Sequence, residues 1–210
     1  MTLTTAVILF FLMAAVLLYA LLGGADFGAG ILELFLPRRL RANAQGVISH
    51  AMAPVWEANH VWLILAVVIL FMGFPPLYTA LTTYLHLPLL LLLLGIVGRG
   101  CAFTFRHYDT PSIRSHRIYS GAFSLSSLGC ALMLGILAGG TMLGRVDPHA
   151  RSFMALYGYS WLNSFCLATG VFAVALFVFL ASVYLVGESQ EPDIRQWFLR
   201  AAAYANVTML

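Results

Sequence analysis

The chain has 210 residues, 61% of them hydrophobic and 9% charged, with a mean hydropathy of +0.91. A soluble globular domain carries about a quarter charged residues, so this composition excludes one and implies an integral membrane protein. All eleven basic residues are arginines set mostly between apolar runs. The net charge of +3 therefore reflects loops on a membrane, and no nucleic-acid partner is expected.

Crossing roughly 30 Å of hydrocarbon takes about 20 helical residues. Five spans fit, near Ala6–Leu36, Val55–Phe74, Thr79–Phe105, Ser120–Leu143 and Trp161–Val186, and a sixth opens at Ala201. The expected fold is all-α, a polytopic transmembrane helix bundle with residues 1–210 as a single transmembrane domain.

The first apolar run, Val7 to Leu22, has no Lys or Arg before Arg38, so it reads as a span and not as a cleaved signal. Gly24 and Gly28 form a small-x-x-x-small pair, with Gly23 and Gly30 nearby, against which another helix backbone can pack. Asp26 lies between them, off their face, as an intramembrane acid. Glu33 follows one heptad later, nearer the charged loop that Pro37 and Arg38 open.

The stretch Ile48–Leu65, ISHAMAPVWEANHVWLIL, leads into the second span, which is expected to start at Pro54. It carries Trp56, Glu57, Asn59, His60 and Trp62 into apolar surroundings. A charge at a bilayer centre costs about 2.5–3.5 kcal/mol on insertion scales and persists mainly where it faces protein or water. Glu57 and His60, at i and i+3, share a face and can hydrogen bond or exchange a proton. Two readings stay open: a proton relay, or the interfacial end of a helix with its aromatic and polar groups at headgroup level.

Pro75 and Pro76 are expected to end that span. Arg99, after the apolar run Leu87–Val97, either neutralises one of the acids or snorkels to the interface with Arg106. Asp147 and Pro148 mark the loop after the fourth span. Cys101, Cys130 and Cys166 form no metal or haem-attachment spacing and read as small buried hydrophobes. With the N-terminus outside, Arg38, Arg39, Arg41, Arg106, Arg114, Arg117, Arg195 and Arg200 fall on the cytoplasmic side and only Arg145 and Arg151 outside, as the positive-inside rule favours. Glu57 then lies near the cytoplasmic mouth.

His50, His86, His107, His116 and His149 fall at interfaces and loops, leaving His60 alone inside a span. A bis-histidine haem held within this chain is therefore not expected. No nucleotide-loop, dinucleotide or zinc-protease motif occurs.

The elements GGADFGAGIL (Gly23–Leu32), APVWEANHVWL (Ala53–Leu63), FPPLY (Phe74–Tyr78) and RGCAFTFR (Arg99–Arg106), in this order, resemble subunit II of cytochrome bd-type quinol oxidases. The pattern A-P-x-W-[DE]-x-N-x-x-W-L is met by Ala53, Pro54, Trp56, Glu57, Asn59, Trp62 and Leu63. The family often has an acid where Gly23 stands, and many members have Asp at the position of Glu57. From Ser120 onward the match is one of hydropathy and rough spacing.

The resemblance implies a haem-free subunit in the bacterial inner membrane, multi-pass, with no catalytic, cofactor-binding or metal residues of its own. Its partner would be a haem-bearing subunit I holding b- and d-type haems, with room for a small single-span subunit and membrane lipid. The complex would oxidise quinol and reduce oxygen to water. Glu57, His60 and Asp26 would lie on a proton pathway, and Gly24, Gly28, Trp56, Asn59, Trp62 and Arg99 at packing or interface positions. Family members are usually much longer, so the chain is expected to match the N-terminal part of such a subunit, as a fragment or truncated product. From the residues alone, an ion-coupled secondary transporter with Glu57, Asp26 and Arg99 at a midplane site, or a purely structural membrane subunit, stay open.

Overall fold

The computed structural model describes residues 2–108, 113–145 and 152–209, and for residues 107, 108 and 113–116 the backbone only. Asp147, Pro148, His149 and Arg151, and the side chains of His107, Arg114 and His116, lie outside the described residues.

The helices are α1 (Leu3–Phe35), α2 (Arg41–Gly73), α3 (Pro75–Tyr84), α4 (His86–Tyr108), α5 (Ile113–Leu143), α6 (Phe153–Tyr157), α7 (Ser164–Glu188) and α8 (Pro192–Met209). Five of them, α1, α2, α4, α5 and α7, are long and apolar enough to cross a membrane. Local chemistry sets the ends. Thr2 caps α1 by accepting from the Thr5 N–H at 3.2 Å, and Asn163 caps α7 by accepting from the Cys166 N–H at 2.9 Å.

Three boundaries differ from the sequence reading. Pro54 does not open the second helix but sits inside a helix that starts at Arg41. Ala44, Ile48, Ala51 and Met52 give that early part an apolar stripe, buried in one cluster with Leu32, Leu185, Ile194 and Phe198. This burial offsets the single backbone hydrogen bond that proline removes. Pro75 and Pro76 do end α2, and as the first residues of α3, where a missing N–H costs nothing, they open a short helix that breaks at Leu85 before α4. The expected third span is thus two helices. The last helix begins at Pro192 and not at Ala201; Ile194, Phe198, Ala202 and Ala205 form its buried stripe.

The bundle is built on α1, which packs against α2, α5 and α7, while α5 pairs with α4 and α7 and α8 lies on α7. Glycines permit the closest approaches. A Cβ on Gly28 would overlap the Phe177 carbonyl oxygen of α7, and one on Gly135 or Gly139 of α5 would overlap Thr169 atoms of α7.

α1 and α2 run antiparallel. Gly23 faces Asn59 and Gly73 faces Ile8, so Asp26 lies level with Trp56. α4 runs in the same direction as α1, one further crossing along the chain.

Candidate functional site

The glycines around Asp26 shape its surroundings. Gly24 and Gly28 admit α7, Gly30 admits Ser127 and Phe123 of α5, and Gly23 admits Asn59 of α2. Enclosed on these sides, Asp26 is 0% exposed. A carboxylate so buried needs a counter-ion and hydrogen-bond donors.

Arg99 supplies both. Its Nη1 donates to Asp26 Oδ2 at 2.6 Å, its Nη2 donates to Oδ1, and Nη2 also donates to the Asp26 carbonyl oxygen at 3.1 Å. The fork is bidentate, the geometry guanidinium suits best. Arg99 is itself only 4% exposed, so it does not snorkel. Its guanidinium lies 4.9 Å from the Phe27 ring and 4.8 Å from that of Phe123.

A second pair repeats the arrangement one heptad on, about 10 Å along both helices. Arg106 Nη1 donates to both Glu33 carboxylate oxygens at 3.0 Å, and its Nη2 donates to Ser49 Oγ at 2.8 Å. Gln45 Nε2 adds a bond to Glu33 Oε2 at 3.1 Å. Phe123 separates the two guanidiniums, that of Arg106 lying 5.0 Å from its ring. Arg106, expected among the loop arginines, is thus inside the bundle, and Glu33, expected near the charged loop, is 3% exposed. Each had a buried partner within reach, and a paired charge buries where a lone one would reach for water.

The polar residues of α2 divide between two faces. Asn59 is buried, Trp56, His60 and Trp62 are half-buried, and Glu57, midway along α2, is exposed on the outside of the bundle. His60 Nδ1 meets the Trp56 carbonyl oxygen at 2.7 Å and not Glu57. Since a carbonyl can only accept, Nδ1 is the donor in this contact. The Trp56 ring lies 4.9 Å from His60 and stacks on Phe103 at 5.8 Å.

Tyr19, Phe27, Trp56, Asn59, His60, Leu63, Ile96 and Arg99 line a small cavity between α1, α2 and α4. The structure therefore brings Asn59, His60 and Trp56 to the Asp26–Arg99 pair but leaves Glu57 outside this group. The midplane site of Glu57, Asp26 and Arg99 that a transporter would need is not assembled within the chain. Among the described residues no group of three or more His, Cys, Asp or Glu could hold a metal ion. Of the cysteines, Cys130 and Cys166 are buried and Cys101 is exposed.

Sequence reasoning missed Tyr19, Phe27, Gln45, Ser49 and Phe123. A signal for part of this was present: Tyr19, Asp26 and Glu33 repeat every seventh residue, as do Leu92, Arg99 and Arg106. The two stripes face one another.

Comparison with known proteins places this geometry. The family model described as cytochrome bd terminal oxidase subunit II matches residues 4–210. Subunit 2 of the cytochrome bd-I ubiquinol oxidase of Escherichia coli K12 is 28% identical over 207 residues, covering 96% of this chain and 53% of that protein. Subunit 2 of the Bacillus subtilis cytochrome bd ubiquinol oxidase is 30% identical over 131 residues, covering 61% of this chain and 38% of that protein. The chain thus spans about half the length, or less, of these relatives. A solved bd oxidase from Geobacillus thermodenitrificans shares the fold, with a TM-score of 0.74 at 17% identity over 99% of this chain and 66% of the solved one. With residues 4–210 matched by this family model, the chain belongs to the cytochrome bd terminal oxidase subunit II family.

Proposed function

We propose that the chain serves as the haem-free subunit II of a bd-type quinol oxidase. There it stabilises a haem-bearing subunit I, which would hold the b- and d-type haems, and helps deliver cytoplasmic protons for the reduction of oxygen to water. The observation that carries this reading is the exposure of Glu57 midway along α2, an apolar helix long enough to span the bilayer. A carboxylate facing lipid is costly, up to about 2.5–3.5 kcal/mol at the bilayer centre, so a partner surface or a water path is the expected cover for it. Next to it, His60 and Asn59 line the cavity beside Arg99, the ion-pair partner of Asp26. Tilted or partner-facing, this edge of α2 is a place where protons can enter an assembly.

The orientation that suits the role has the Arg38–Arg41 turn in the cytoplasm. Arg117, Arg195 and Arg200 belong to the same end of the bundle, which supports it by the positive-inside rule.

The test begins with purification of the chain from its native membranes with whatever copurifies, followed by a reduced-minus-oxidised spectrum. Haem bands with a larger partner are expected, and a colourless preparation refutes the oxidase reading. Glu57→Gln is then expected to lower quinol-driven oxygen uptake at least tenfold with the haem spectrum intact. Unchanged uptake in a fully assembled complex would defeat the proton-delivery role and leave a structural subunit.

A further inference from the structure

Four buried side-chain polar atoms find no hydrogen-bond partner among the described residues; Ser160 Oγ stands apart from this cavity, and the other three are Tyr19 Oη, Asn59 Oδ1 and Arg99 Nε. Their residues come from three different helices, are 9%, 2% and 4% exposed, and all line the cavity beside the Asp26–Arg99 pair. Chance scatter of unsatisfied groups would not gather them at one place. Buried polar atoms left unpaired are costly, and an ordered water is the usual remedy where at least two can reach it.

We infer that this cavity is a binding site for one ordered water, held by Tyr19, Asn59 and Arg99. The donor and acceptor types are complementary: the water accepts from Arg99 Nε–H and from the Tyr19 hydroxyl, and donates to Asn59 Oδ1. Its second proton is free to point toward His60, which lines the same cavity. The space open to a water centre is about 10 Å³, enough for one molecule. Charge excludes an ion. Arg99 is already neutralised by Asp26, so a sodium or chloride ion would enter as an uncompensated charge in a low-dielectric interior. Gly23 is part of the site, since a side chain there would meet Asn59 Oδ1 at 2.8 Å and push the amide away from its place.

The site stands whether or not protons pass through this chain, because it follows from the unpaired atoms and not from turnover. The test is a cryo-EM map of the native complex copurified with the full-length chain, held in lipid nanodiscs and resolved well enough to show ordered waters elsewhere in the bundle. A peak within about 2.7–3.2 Å of the three named atoms is expected, and a weaker one in Tyr19→Phe. Three results would overturn the inference: no peak between well-resolved side chains, lipid or quinone density in the cavity, or direct bonds from these atoms to one another or to a partner subunit. Oxygen uptake of Glu57→Gln fails or succeeds independently of this map.

Discussion

Asp26→Asn removes a charge from the best-enclosed ion pair among the described residues. Asp26 is 0% exposed and Arg99 4%, and the guanidinium is flanked by the Phe27 and Phe123 rings, so Arg99 is shielded from bulk solvent. Removing one partner of a buried pair costs about 3–5 kcal/mol, chiefly because the other charge is left uncompensated. Asparagine retains one oxygen to accept from Nη1, which places the loss near the lower end, about 3 kcal/mol, or roughly a hundredfold in the folded-to-unfolded ratio. Equilibrium unfolding in mixed micelles with increasing dodecyl sulfate measures it. The double variant Asp26→Leu with Arg99→Met should recover most of the loss, since apolar residues of similar volume replace a buried pair at little cost. The reasoning fails if Asp26→Asn lies within about 1 kcal/mol of the parent, or if the double variant is no more stable than the single one.

Glu33→Gln should cost less than Asp26→Asn in the same titration, because Arg106 keeps its bond to Ser49 Oγ at 2.8 Å; equal or larger loss would contradict this. Gly28→Val should destabilise by at least about 1–3 kcal/mol, since its Cβ would overlap the Phe177 backbone carbonyl, which cannot rotate aside. Gly46→Ala is the matched control: a Cβ there meets nothing within 4 Å, so helix propensity should give a neutral or slightly stabilising change. Arg39→Ala breaks only the surface pair to Asp193, whose side chains are 78% and 61% exposed, and its melting profile should be indistinguishable from that of the parent.

Much of this molecule was legible before folding. Hydropathy alone located five apolar segments, because a bilayer demands length and apolarity from each helix separately, whatever lies beside it. The spacing of Gly24 and Gly28 announced a close helix contact, and the pattern around Trp56, Glu57 and Asn59 announced a family. The start of α2 was not legible. Residues Arg41–Ala53 are too polar to be read as a span, and they are held as helix by packing against α1, α7 and α8. Nor could the sequence choose between pairing and snorkelling for Arg99 and Arg106. Both ion pairs join residues 73 positions apart. They exist only because the one intervening crossing, α2, returns the chain so that α4 lies parallel to α1 in heptad register. Sequence by itself determined which residues enter the membrane and that some are charged, since burial in lipid is a property of each segment. Which acid each arginine meets, and that Glu57 faces out while Asp26 faces in, was decided by tertiary structure alone, since charge compensation depends on neighbours that no single helix contains.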